Sequence, residues 1–62
     1  MTAQYIAVMC KHENADEFGL DMGFNINVVG IEEAMRKAQE YMADQQKMWG
    51  ATVQYRLEGK EW

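Results

Sequence analysis

Proline is missing from this sequence of 62 residues, and cysteine occurs only once. A single cysteine excludes an intramolecular disulfide, and Cys10 with His12 does not repeat at a spacing typical of structural zinc sites. A chain of this size buries only about 60% of its unfolded surface, so packing alone leaves it marginally stable. We therefore expect unusually good packing or a second subunit, and no metal or other cofactor.

Long apolar runs are also missing, since none approaches the roughly 18 residues that a membrane-spanning helix requires. The first residues lack the basic and apolar pattern of a signal sequence. Basic residues are few, with six Lys and Arg against ten Asp and Glu and a net charge of -4. This balance argues against direct nucleic-acid binding, which normally needs a basic patch. An apolar content of 48% is too high for a disordered chain, so we expect one folded domain, residues 1–62. Without a membrane-spanning segment or a signal sequence, this domain is expected to be soluble and cytoplasmic, with no membrane contact.

The clearest periodic segment is Ile31–Trp49, where apolar residues recur three and four positions apart. This pattern predicts a helix with one buried stripe. Glu32 and Glu33 suit the positive end of its dipole. Gly30 and Gly50 are predicted to begin and end it.

Three strands are predicted around this helix. Residues 2–11 carry apolar side chains on both faces, which is typical of a central strand covered on two sides, and the polar segment 12–16 predicts a hairpin loop. Residues 17–29 alternate strictly, which predicts one bent strand or two strands broken near Gly23. Its predicted buried face consists of Phe18, Leu20, Met22, Phe24, Ile26 and Val28. Residues 51–58 alternate again and predict the final strand.

The predicted fold is therefore a small α+β domain of order β-β-α-β. A three-stranded antiparallel sheet of order 2-1-3 packs against one helix at about residues 31–49, with a right-handed crossover. One helix covers only one face of the sheet, so the other face is expected to expose a small apolar patch. That patch, or alternatively an edge strand, is a candidate homodimer interface.

Residues that resemble a catalytic site are few. Cys10 and His12 share a strand face, but no oxyanion donor or third orienting group accompanies them, which favours a packed thiol beside a solvated histidine. Four acidic residues in the first loop and second strand are more typical of a solvated or protein-binding edge than of a metal or catalytic site. We predict that the chain is not an enzyme. The predicted partner-binding residues are Glu13, Asp16, Glu17, Asp21 and Trp62.

An alternative function is binding of a nucleotide or another small metabolite. Pockets often form where two units meet, and a dimer of such sheets could enclose one. Aromatic walls would come from Tyr5, Trp49 and Tyr55, and polar contacts from Asn25 and Asn27.

Residues 4–42 contain the strand QYIAVM and the segment VVG-IEEAMRKAQEYM. They resemble the N-terminal domain of HicB-type antitoxins, where a strand ending in glycine leads into an "EEA…A" helix. This sequence departs from the family pattern in two ways. It lacks the Asp/Ser-Thr segment that the family usually has between the glycine and the helix, and it shows no C-terminal DNA-binding segment. The resemblance implies a compact α+β module that binds a partner protein.

Small acidic chains of this kind also look like phage or mobile-element accessory proteins that inhibit a host factor. On this basis we expect a small interaction module that inhibits or regulates a partner macromolecule. Its expected location is the cytoplasm of a bacterium or of a phage-infected host cell.

Overall fold

The computed structural model describes residues 3–61 and contains a three-stranded antiparallel sheet packed against one main helix. The strands lie in the order β2-β1-β3, so the predicted α+β fold with a central first strand is confirmed. The elements are β1 (Gln4–His12), β2 (Gly19–Asn25), α1 (Ile26–Val29), α2 (Ile31–Trp49), a 3-10 turn (Gly50–Thr52) and β3 (Val53–Glu61).

Helix α2 has the predicted bounds. It begins after Gly30, whose φ is 84°, and its first turn closes when the Ala34 N–H donates to the Gly30 carbonyl at 2.9 Å. It ends at Gly50, whose φ is 64° and whose N–H donates to the Gln46 carbonyl. Ala34 and Ala38 are completely buried, and their small side chains let the helix backbone approach the sheet closely.

The centre of the core lies between α2 and the middle of β1. Ile6 and Val8 meet Ala34 and Ala38 there, and all four are buried. The side chains packed around this centre are partly buried and include Phe24, Ile26, Met35, Tyr41, Met42, Tyr55 and Leu57. The core is therefore thin, as expected for a chain of this size.

The second strand is shorter than either predicted version. It ends at Asn25, whose side-chain oxygen accepts the backbone N–H of Asn27 at 2.8 Å. This arrangement begins a helix, and residues Ile26–Val29 form the single turn α1. The predictions of one strand through residue 29, and of two strands broken near Gly23, are therefore wrong.

The alternation is also interrupted inside β2. Val8 pairs with Met22 and Met9 pairs with Leu20, so Asp21 is the extra residue of a β-bulge. Leu20 consequently lies opposite Met9 and is 53% exposed, whereas Phe24 packs in the core beside α2. The predicted single buried face of β2 is thus divided between the two sides of the sheet.

The centre of the sheet face that α2 does not cover is buried, whereas Leu20 at its side is exposed. Ala7 and Met9 at its centre are only 0% and 7% exposed. Their neighbours on β3 are Glu58 and Arg56, and the Arg56 guanidinium lies 4.1 Å from the centre of the Phe18 ring. Because long charged side chains lay their apolar stems over their neighbours, the centre of this face is shielded within one chain.

Candidate interaction surface

The most prominent exposed apolar group in residues 3–61 lies where α1 turns into α2. Val28, Val29 and Ile31 are 76%, 36% and 60% exposed. We call these three residues the apolar corner. Large apolar side chains that are exposed together, with polar residues around them, are typical of interaction sites.

The exposure of the corner follows from the local backbone. The single turn α1 closes when the Gly30 N–H donates to the Ile26 carbonyl at 2.8 Å. Gly30 then takes φ 84° and ψ 158°, and the chain changes direction into α2. A single helical turn can bury only one of its faces, and in α1 the residue on the buried face is Ile26, which packs against the core. Val28 and Val29 are therefore left facing solvent.

The rim of the corner is acidic. An open depression of about 570 Å³ is lined by Val29, Gly30, Ile31, Glu32, Glu33 and Arg36. Arg36 donates to Glu33 at 2.6 Å and to Glu40 at 2.8 Å. The hydrogen bond with Glu33, the charge of Glu33 and the charge of Glu40 raise the pKa of Arg36 above its ordinary value. Arg36 is the one basic residue that lines the depression, and its guanidinium is paired with two carboxylates. Glu32 and Glu33 therefore leave the rim negatively charged.

A second concavity, of about 330 Å³, borders the corner on the side of the sheet. The residues lining it are Gln4, Tyr5, Ile6, Ile26, Ile31, Gly59, Lys60 and Glu61. At its edge the Asn25 side-chain amide donates to the Tyr5 hydroxyl at 3.5 Å. This groove is a concavity of the size of a small ligand.

The five residues predicted for a ligand pocket do not meet in one chain. Tyr5, Asn25 and Asn27 lie together next to the corner. Tyr55 pairs with Cys10, which is about 17 Å along β1 from Tyr5 at the usual rise per residue. Trp49 lies at the far end of α2.

The indole of Trp49 is part of a second exposed aromatic contact. It meets the His12 ring edge to face, with the ring centres 6.5 Å apart, and its N–H donates to Gln45 at 3.3 Å. The indole remains half exposed. His12 therefore makes its ring contact with Trp49, and not with Cys10.

The predicted acidic edge is also divided. Glu13, Asp16 and Glu17 are exposed in the loop between β1 and β2. Asp21 lies apart from them in the bulge of β2 and faces Tyr41 on the helix side of the sheet. Trp62 lies outside the described residues.

Asp21 belongs to a polar cluster with Cys10, Tyr41 and Tyr55. Burial raises the pKa of the Cys10 thiol, and the Asp21 carboxylate raises it further. Burial is also the main cause of the raised pKa of Tyr41, followed by a hydrogen bond to Asp21. Burial and Asp21 raise the pKa of Tyr55 in the same way. These three groups are therefore protonated at neutral pH, so Cys10 is not activated as a nucleophile.

The cluster predicts a loss of stability in alkaline solution. A raised pKa means that the folded chain holds the proton more tightly than the unfolded chain. The free energy of unfolding should therefore fall as pH rises past the ordinary values, 9.0 for cysteine and 10.0 for tyrosine. Urea unfolding between pH 8 and pH 11 measures this decline, and Tyr41→Phe should make it shallower. An identical decline in Tyr41→Phe would show that Tyr41 contributes nothing to it.

Sequence reasoning missed the apolar corner. Ile26 and Val28 continue the alternation of the preceding strand, so the pattern places them on its buried face. A signal was nevertheless present, because Asn25 is a favoured N-cap and Gly30 follows it at the distance of one helical turn. Read together, these two residues indicate a short helix that leaves its valines exposed.

Within residues 3–61, no group of three His, Cys, Asp or Glu side chains could hold a metal ion. No helix in that range is long and apolar enough to cross a membrane. Comparison of the chain with known protein families, with curated proteins and with solved structures found no match.

Proposed function

We propose that this protein is a non-enzymatic interaction module that binds a partner protein through the apolar corner and thereby inhibits or regulates it. The observation that supports this proposal is the exposure of Val28 and Ile31, at 76% and 60%. Complete burial of either side chain would contribute roughly 1.5–3 kcal/mol. A small chain with a thin core gains nothing in folding from leaving them in water, whereas a partner surface can use them.

The charge around the corner supports a partner surface of complementary charge. Glu32 and Glu33 border the exposed apolar residues, and the chain as a whole carries a net charge of -4. The partner surface that fits this arrangement is an apolar pocket flanked by basic residues. Charge complementarity of this kind speeds association and selects the partner. A basic nucleic-acid-binding site on the partner fits the description, and covering it is how an antitoxin-like or phage-type inhibitor would act.

One substitution in α1 and one at the far end of α2 test this proposal. Val28→Asp places a charge in the apolar corner, and we expect it to weaken binding of the partner by about tenfold or more. Met48→Asp is the matched control, because Met48 is 70% exposed and lies about 25 Å along the helix from Ile31. It should leave binding nearly unchanged.

The measurement is capture from host lysate, followed by titration of the captured protein. Circular dichroism of both variants checks that they are folded. Failure of the unmodified chain to retain any stoichiometric protein at moderate salt would contradict the proposal. Equal binding by Val28→Asp and Met48→Asp would contradict the assignment of the corner.

The groove beside Tyr5 supports a second candidate function, binding of a nucleotide or another small metabolite. Its volume of about 330 Å³ lies at the lower end of the range for ligand pockets, and Lys60 supplies a positive charge at its wall. A thermal-shift screen should then show stabilisation by one class of ligand, and Lys60→Met should reduce that stabilisation. A screen in which no ligand class raises the melting temperature would remove this candidate.

A further inference from the structure

The outer edge of β3 is long and regular. Strand β3 pairs with β1 over nine residues without a register shift, and no other described strand pairs with it. The other edge of the sheet, β2, is shorter and contains the bulge at Asp21. Bulges disfavour pairing of an edge strand with another chain. The edge at β2 is therefore protected from such pairing, whereas the edge at β3 is not.

The direction of the backbone groups of β3 follows from one hydrogen bond. The Glu13 N–H donates to the Thr52 carbonyl at 3.0 Å, and the pairing of β1 with β3 continues in this register. Hydrogen-bonded pairs alternate with non-hydrogen-bonded pairs in an antiparallel ladder. Tyr55, Leu57 and Gly59 therefore direct their N–H and C=O groups away from β1. The Val53 carbonyl also points away from β1, and it accepts a hydrogen bond from the Gln46 side-chain amide at 2.9 Å.

We propose that β3 pairs with β3 of a second copy, antiparallel about a two-fold axis at Leu57, to form a continuous six-stranded sheet. A two-fold axis of this kind passes through a residue that faces itself, and Leu57 is the middle residue of Val53–Glu61. This register therefore centres the pairing on the middle of the strand. Pairing through Tyr55, Leu57 and Gly59 forms about six backbone hydrogen bonds between the chains.

The charges of β3 favour this register over the two registers whose axis lies one residue away. With the axis at Leu57, Arg56 lies opposite Glu58 of the partner subunit, and the symmetry repeats this pair. Moving the axis to Arg56 places Arg56 against itself. Moving it to Glu58 places Glu58 against itself and Arg56 against Lys60 of the partner subunit. Like charges directly opposite each other destabilise a sheet, whereas opposite charges stabilise it.

The side chains on the helix side also suit this register. Leu57 and Tyr55 are partly buried and pack against the core beside α2. With the axis at Leu57, Leu57 meets its symmetry copy and Tyr55 lies opposite Gly59 of the partner subunit. The apolar layer under the helix therefore continues from one chain into the next, which supplements the thin core of the single chain.

Charge exchange tests the register. Arg56→Glu and Glu58→Arg each place like charges opposite one another twice in the dimer, and each should weaken dimerisation by about tenfold. The double variant restores opposite charges and should recover most of the affinity. Sedimentation equilibrium measures the dimer dissociation constants of the three variants and of the unmodified chain. The 3.2 Å pair that Arg56 and Glu58 make within one chain is exposed, so loss of this pair should affect folding little. Arg56→Glu also removes the contact with the Phe18 ring, which Glu58→Arg retains.

A backbone substitution tests the edge itself. A side chain at Gly59 would meet no heavy atom within 4 Å. Gly59→Pro removes an outward N–H and leaves the hydrogen bonds to β1 intact, so we expect a folded monomer. Gly59→Ala keeps the N–H and should still dimerise. Val28→Asp lies outside β3 and should dimerise normally, which keeps this test separate from the test of the apolar corner.

Three results would overturn the proposal. The first is that the chain remains monomeric up to millimolar concentration. This result counts against the proposal even if the β3 edge binds an extended peptide of another protein. The second is a dimer that Gly59→Pro does not weaken relative to Gly59→Ala. The third is a double charge variant that dimerises no better than the two single variants.

Discussion

Replacing Ala38 with leucine is expected to lower the free energy of unfolding by about 3 kcal/mol. Ala38 is completely buried where α2 crosses the middle of β1, in contact with the cluster that contains Ile6 and Val8. Protein interiors are packed as densely as organic crystals, so there is no room for the three additional carbon atoms. The helix would have to move away from the sheet and loosen the only described core.

Ala43 provides the matched control for this substitution. It lies on the same helix but is exposed, so Ala43→Leu makes the same chemical change without disturbing the core. Its effect should stay within about 0.5 kcal/mol. Urea unfolding of both variants at neutral pH gives the comparison. Equal destabilisation by the two substitutions would contradict the close contact of α2 with the sheet.

Replacing Gly30 with alanine is expected to cost about 2 kcal/mol. Gly30 has φ 84° and ψ 158°, a backbone conformation that is essentially restricted to glycine. An added Cβ would meet nothing within 4 Å, so the cost comes from the backbone and not from a steric contact with neighbouring residues. For a domain of this size, such a cost lowers the melting temperature by roughly 10 °C.

Gly19→Ala is the control for Gly30→Ala. A side chain at Gly19 also has open space around it, and its backbone has no positive φ. Its effect on the melting temperature should therefore be small. If Gly30→Ala were as stable as Gly19→Ala, the turn between α1 and α2 would not have the conformation described above.

Helix α2 could be predicted to the residue because two independent signals agree. Its apolar residues follow the helical period, and glycines at positions 30 and 50 mark its two ends. The central position of β1 could also be predicted, since apolar residues on both faces are typical of an interior strand and not of an edge strand. With these two elements and short connections, the sheet order follows.

The segment after Gly19 could not be predicted with the same method. Alternation over residues 17–29 is a local pattern, and it carries no information about where pairing with β1 stops. The bulge at Asp21 moves Leu20 to the other side of the sheet, and the N-cap at Asn25 ends the strand. Both depend on the partner strand or on side-chain hydrogen bonds, which hydrophobic periodicity does not register.

The candidate sites depended on this same segment. Of the residues predicted for a ligand pocket, Asn25 and Asn27 come from this segment and lie beside Tyr5, whereas Tyr55 lies on β3 and Trp49 at the end of α2. The predicted acidic edge likewise loses Asp21, because the bulge turns it towards Tyr41. The apolar corner exists only because Val28 belongs to a helical turn and not to a strand. Hydrophobic periodicity alone therefore could not identify it.

The most direct test of the central claim is amide hydrogen exchange of the chain, alone and bound to its captured partner. We expect binding to slow exchange in residues 26–36, which contain α1, Gly30 and the first turn of α2. Residues 45–52, around Trp49 at the other end of the helix, should exchange at unchanged rates. Protection confined to residues 45–52 or to the loop 13–18, with none at the apolar corner, would contradict the proposed interaction surface.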